Sequence, residues 1–289
     1  MMTKYDPWVN MLRTTVAAFA AGVGGASAVT VLPFDAALGL PDAFARRIAR
    51  NTSSLLIHES HVAKVVDAAG GAYAVERLTD NLAQAGWDEL GRIESAGGVL
   101  GAIANASIAE RIDGIVARRS AEIAKRRRPI TGVSEFPHLH EEVPTRKPYA
   151  PGARQVRRYA ADFEAMRDDP PAQPVFLATL GTIAAHTARA TFAHNLFAAG
   201  GIDTTSAGAT DSVDDLVAAY GKERVVCLCG TDAAYAQWGA AAITALREAG
   251  ASYVILAGKP GEGIEADDSA AVGVDALAFL TRVREELGK

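Results

Sequence analysis

The spacing of apolar positions changes character twice along this chain. Residues 6–22, "DPWVNMLRTTVAAFAAG", predict a helix: Asp6 is a possible cap, Pro7 suits the first helical position, and strong helix formers follow. The β-rich run "AVTVL" (28–32) predicts a short strand. "LPDAFARRIARNTSSLLIHES" opens with Pro41 and repeats apolar residues at Phe44, Ile48 and Leu55, a helical stripe. "HVAKVVD" (61–67) predicts another strand, closed by the "AAGG" turn. Leu78, Leu82 and Trp87 predict the buried face of a long helix that Gly97 and Gly98 end. Ile108, Ile112, Ile115, Val116 and Ile123 mark a further amphipathic helix, and "PITGV" (129–133) reads as one more short strand.

Residues 136–172 lose this periodicity. Pro137, Pro144, Pro148, Pro151, Pro170 and Pro171 punctuate a charged stretch, which predicts an interdomain linker carrying one helix near "ARQVRRYAADFEAMRD". From 173 onward the pattern becomes regular. The runs "PVFLATL", "IDTTSAG", "RVVCLCG" and "ASYVILAG" alternate with helical segments, and a weak fifth strand is expected near "AAVGV". Strands that are apolar throughout and alternate with helices predict a parallel sheet covered on both faces. The expected form is a five-stranded flavodoxin-like domain, with its ligand crevice beyond the carboxyl ends of the strands.

The first half does not close in the same way. Its few strands and long helices look like the tail of a (β/α)₈ barrel, a fold that needs roughly 250 residues. The expected class is therefore α/β: the C-terminal part of a barrel over 1–135, a linker over 136–172, and the second domain over 173–289.

Composition narrows the function classes. Of 289 residues 49% are hydrophobic and 22% charged, and the net charge is −5, so no general field attracts nucleic acid or anionic lipid. The basic clusters "KRRR" (125–128) and "RQVRRY" (154–159) lack interleaved aromatics and read as helix ends or solvated faces. "MLRTTVAAFAAGVGGASA" imitates a signal peptide, but its glycines and its apolar continuation mark it as folded protein. No apolar run approaches the ~20 residues of a membrane helix, and a cytoplasmic location is expected. Cys227 and Cys229, two apart in a strand, share one face and read as buried reduced thiols.

Several small motifs invite chemistry and mostly fail on spacing. His58 and His61 in "HESH" are three apart, whereas a zinc protease needs its second histidine at position 62, which is Val62. His138, His140 and Glu141 in "HLHEE" lie in the linker and read as a solvated segment. "GKPGEG" (258–263) has its Gly-Lys in the wrong place for a phosphate loop, and "GVGGAS" (22–27) reads as a helix stop. Arg46, Arg47 and Arg50 have the reach to meet a phosphate but read as structural or solvent-facing. The loop "LGTIAAHT" carries His186 just after a predicted strand; it reads as a helix-start surface residue and is the one low-ranking candidate for a metal or cofactor ligand. No catalytic and no metal-ligating residue is expected.

The segments "DPWVNMLRTTVAAFAAGVGGASAVTVLPFD", "RIARNT", "GGAYAVERLTDNLAQAGWDELGRIESAGG" and "ITGVSEFP" together resemble the end of the barrel of the methylmalonyl-CoA mutase family. The second half resembles that family's cobalamin-binding domain. The resemblance implies adenosylcobalamin chemistry on a CoA thioester, with cobalt held by a histidine from an Asp-x-His-x-x-Gly loop. Laid on His186, that motif puts Ala184 where the aspartate belongs and Arg189 where the glycine belongs. "LGT", "AAGGID" and "YAQWGAAAITALREAGA" are more similar to the small, non-catalytic chain of heterodimeric family members. The resemblance then implies that this chain binds no cofactor. Adenosylcobalamin would sit in the partner, a large catalytic subunit, with no nucleic acid or membrane involved. Two other readings stay open: an active mutase chain with an unusual cobalt loop, and a free-standing interaction module.

Overall fold

A computed structural model describes residues 1–152, 157–259, 261 and 263–288. It divides into two compact units, Met1–Ser120 with Pro144–Gln155 and Ala121–Val143 with Val156–Lys289.

The first unit is helical. Helix α1 (Val9–Val23) buries Asn10, Thr14 and Ala18, one small face at a spacing of four. The residue at its cap position is Trp8 rather than Asp6. Asp6 takes a left-handed φ of 48°, and its carbonyl accepts the Val9 N–H in a turn that precedes the helix. Gly24 and the left-handed Gly25 do end it, as expected of "GVGGAS". Asn10 is wholly buried and fully used: Oδ1 accepts from Thr3 N–H at 3.0 Å, and Nδ2 donates to the Thr3 and Phe34 carbonyls, each at 2.8 Å. Helix α2 (Ala43–His58) is capped by Asp42, whose carboxylate accepts from Ala45 N–H at 2.8 Å, so Pro41 lies just outside it. Its buried face is Ala45 and Ala49, and the expected stripe residues Phe44 and Leu55 are exposed. Residues 144–152 return to the 35–42 loop. Arg146 pairs with the buried Asp35 and, at 3.1 Å, with Asp42, while Tyr149 donates to the Ala36 carbonyl at 2.9 Å.

Helices α3 (Tyr73–Ser95), α4 (Gly98–Ala104) and α5 (Ser107–Ala124) follow. The burial expected of α3 is absent: Leu78, Leu82 and Trp87 are 56%, 63% and 72% exposed, and the 23-residue helix buries no side chain. The strands expected at 28–32 and 61–67 are also missing. The first has no ladder or other regular structure, and the second is a 3₁₀ turn (Val62–Lys64) among other turns. A strand needs a neighbour for its backbone donors and acceptors, and the described residues supply none to these runs.

In the second unit, residues 129–135 form a tight turn rather than the expected strand. The Ile130 carbonyl there accepts three successive N–H groups, and the only pairing is an isolated bridge from Thr131 to Glu135. Helix α6 (Ala161–Asp168) is the one helix expected in the linker segment, and it buries Phe163, Glu164 and Arg167. The sheet comprises β1 (Val175–Thr179), β2 (Thr204–Ser206), β3 (Val225–Cys229), β4 (Tyr253–Ala257) and β5 (Asp268–Ala270). All pairings are parallel, and the order is β2-β1-β3-β4-β5. The fifth strand is real but starts two residues before the "AAVGV" run.

One sheet face presents Phe176, Ala178, Val226, Leu228, Val254 and Leu256 to α8 (Val213–Ala219) and α10 (Ala240–Glu248), whose Leu216, Ile243 and Leu246 complete the core. Helix α7 (Ile183–Ala199) crosses β1, β3 and β4, and its Phe197 lies 5.9 Å from Phe279 of α11 (Ala276–Glu286). Gly200 permits that approach, because a Cβ there would sit 2.8 Å from Leu280 Cδ2. Buried Arg284 pins this corner by donating to the Met166 and Gly200 carbonyls at 2.9 and 3.0 Å.

Candidate functional site

Parallel α/β sheets place ligands beyond the carboxyl ends of their strands, at the point where strand order reverses. Here that point lies between β1 and β3. Leu180 N–H donates to the Cys229 carbonyl at 2.8 Å, holding the two strand ends together one residue past β1. On the other side, Thr210 Oγ1 donates to the Thr179 carbonyl at 2.8 Å, and Thr179 Oγ1 donates to the Gly208 carbonyl at 2.6 Å. The loop after β2 is thereby fastened over the end of β1.

His186 follows in the first turn of α7. It is not the surface residue the loop reading expects: only 6% of it is exposed. Positions 186, 190, 193 and 197 fall on one helix face at spacings of three to four, and that face turns toward the sheet. The Nδ1 atom is buried with no hydrogen-bond partner, so no carboxylate fixes the ring. Ala184 is exposed and Arg189 points elsewhere.

Arg189 reaches across the crevice. Its guanidinium donates to the Gly230 carbonyl at 2.8 Å, just past β3, and to the Asp232 carboxylate. Its Cζ lies 4.8 Å from the centre of the Tyr235 ring. A Cβ on Gly258, just past β4, would stand 3.3 Å from the same Cζ. Burial alone would lower the guanidinium's pKa, but the Asp232 carboxylate and the neighbouring Tyr235 side chain outweigh it, so the group is held above its ordinary value and stays charged.

Tyr235 comes from a helix that begins with the short α9 (Asp232–Ala234), capped by Thr231, and continues through a π turn (Tyr235–Gly239) into α10. Its hydroxyl accepts from Gly230 N–H at 3.1 Å and lies 2.9 and 2.8 Å from the Leu228 and Ala257 carbonyls. With one proton to give, it donates to one of them at a time, bridging β3 and β4. Burial, reinforced by Cys229 and Cys227, pushes the phenol well above its ordinary value of 10.0. Sequence reasoning missed Tyr235 and Asp232. The available signal was a capping Thr231-Asp232 pair directly after a buried strand, with an aromatic three residues on.

The remaining candidates do not converge. His58 and His61 are exposed, and His61 has a left-handed φ of 54°. His140 meets Asp203 at 3.3 Å, Glu141 meets Arg167 at 3.1 Å, and His138 is exposed. Among the described residues no group of three potential ligands could hold a metal ion. Arg47 stacks over Phe44 at 5.4 Å, while Arg46 and Arg50 flank a shallow groove of about 330 Å³ beside Val29 and Pro33. In "KRRR", Arg126 pairs with Glu135, and Arg128 meets Glu122 at 2.6 Å just beyond the end of α5. "RQVRRY" lies partly outside the described residues, and so does "GKPGEG" at Pro260 and Glu262. Cys227 and Cys229 are free and buried, and the Cys227 thiol is pushed up by its contact with Cys229 and by burial. Among the described residues no helix is long and apolar enough to cross a membrane.

Comparison with known proteins supplies the family. A family model described as methylmalonyl-CoA mutase matches residues 1–217. The methylmalonyl-CoA mutase small subunit of Streptomyces virginiae is 50% identical over 302 aligned positions, covering 100% of this chain and 49% of that protein. The small subunit of Propionibacterium freudenreichii subsp. shermanii is 39% identical, over 89% of this chain and 42% of the relative. The mitochondrial methylmalonyl-CoA mutase of Bos taurus is 39% identical, over 49% of this chain and 19% of the relative. The chain thus spans about half the length of the small-subunit relatives it matches. It belongs to the methylmalonyl-CoA mutase family.

Proposed function

We propose that this chain is part of the small, non-catalytic subunit of a methylmalonyl-CoA mutase, which packs against and stabilises a large catalytic chain. The observation that carries this reading is the rim of the sheet. The residues there do not fit a base-off cobalamin, because His186 is buried with an unpartnered Nδ1, Ala184 and Arg189 replace the loop's aspartate and glycine, and Arg189 itself lies across the crevice. No chemical step is assigned to this chain. When adenosylcobalamin is bound in the large subunit, it supplies the radical that rearranges the CoA thioester between methylmalonyl-CoA and succinyl-CoA.

In this reading residues 1–135 form the C-terminal part of a (β/α)₈ barrel, 136–172 the linker, and 173–289 a degenerate, flavodoxin-like relative of a cobalamin domain. The strand order supports the last assignment. The unladdered run at 28–32 and the exposed stripe of α3 support the first, since both suit a sheet that other residues complete. The relatives named small subunits support a large-subunit partner. The free, buried Cys227 and Cys229 suit a reducing cytoplasm.

The test is co-expression of this sequence, within its full subunit, with a large catalytic chain. The two chains are expected to copurify at one to one and to turn over methylmalonyl-CoA together, and the small subunit alone should show no turnover. Turnover by the small subunit alone would overturn the proposal.

A further inference from the structure

We infer that the crevice at the carboxyl rim of the sheet is a guanidinium site occupied from within, with Arg189 as its built-in ligand. Every surface a guanidinium needs is present. The Gly230 carbonyl accepts at 2.8 Å, the Asp232 carboxylate supplies the opposite charge, and the Tyr235 ring offers its face at 4.8 Å. The Asp232 side chain is exposed, so the carbonyl and the ring give the site its shape, and the carboxylate adds charge from outside. Tyr235 is itself held rigid, since its hydroxyl is hydrogen-bonded between β3 and β4. Gly230 has no slack, because a Cβ there would stand 3.1 Å from Leu180 Cβ and 3.4 Å from the Tyr235 ring. The pocket is therefore preformed by backbone and ring, and Arg189 fills it. This holds whether or not the non-catalytic reading does, since it depends only on what the rim presents.

The experiment is chemical rescue. Arg189→Gly removes the side chain and leaves its acceptors in place. Its Tm should fall by about 3–8 °C, and millimolar guanidinium chloride should restore roughly half of that loss in a saturable way, whereas equal sodium chloride should not. An Arg189→Gly melt indistinguishable from wild type, or recovery no greater than with sodium chloride, would overturn the inference. Should Arg189→Gly fail to fold, ¹⁵N NMR of the wild-type arginine side chains decides. The Arg189 Nη protons, assigned through their loss in Arg189→Lys, should exchange and rotate slowly, and fast-averaged signals would sink the proposal. Turnover by the small subunit alone leaves this result untouched, so the two proposals fail separately.

Discussion

The two units use similar helices for different ends. In the second unit, α7 and α10 lay apolar faces on opposite sides of one sheet, and Phe176, Phe197, Leu228 and Leu246 are essentially inaccessible to water. In the first unit, α3 carries a comparable apolar stripe that the described residues leave unburied, and the buried positions of α1 and α2 are mainly small or polar: Asn10, Thr14, Ala18, Ala45 and Ala49. Amphipathic pattern alone does not bury a helix; a complementary surface must be present. Among the described residues, the second unit adds its buried polar contacts to a large apolar core, whereas the first leans more on hydrogen-bonded polar residues and the Arg146–Asp35 pair.

That contrast is open to measurement, beginning with its largest expected effect. Phe197→Ala should cost about 3–5 kcal/mol in urea unfolding, whereas Leu82→Ala on α3 should stay within about 0.5 kcal/mol. Equal costs would mean that the α3 stripe is covered and would erase the difference. Arg146→Met should cost about 3 kcal/mol by leaving Asp35, which is wholly buried and already has Oδ1 unpartnered, without a counter-charge. A negligible loss would show that the first unit does not depend on this pair.

A smaller effect is expected at high pH. Burial raises the folded-state pKa of Tyr235, Tyr220 and Tyr253, so the unfolded chain releases these protons first, near 10.0. Their contribution is complete below that pH and is lost as pH rises through the higher folded values. Unfolding of the second unit should steepen above pH 10, and Tyr235→Phe should flatten the slope. Within the second unit the smallest effect belongs to His186→Leu, expected to be neutral to within about 1 kcal/mol, because the orphaned Nδ1 has no bond to lose. A large loss would reveal a partner for this ring.

The difference between the units also explains what the sequence could disclose. Runs such as "PVFLATL" and "RVVCLCG" are buried on both faces by helices of the same chain, so their continuous apolar character reads directly as parallel sheet. "AVTVL" has the same β propensity but no neighbour among the described residues, so local preference alone did not make it a strand. The spacing argument against a cobalt loop needed only Ala184 and Arg189. It placed His186 on the surface because it did not follow the phase of α7, in which 186 shares a face with the buried Ala193 and Phe197. The role of Arg189 was out of reach, since its partners Gly230, Asp232 and Tyr235 all come from the segment after another strand, β3.

The π turn at Tyr235–Gly239 adds a last consequence. Such a turn carries one residue more than regular α-helix requires, so deleting a single residue within 236–239 would give α10 an ordinary pitch. Wound as regular α-helix with every residue kept, the segment would instead turn everything upstream by about 100° relative to α10. Tyr235 would then leave the gap between β3 and β4. The irregular winding is thus a phase adjuster, aiming one phenol at the strand ends while the rest of the helix keeps its own seat on the sheet.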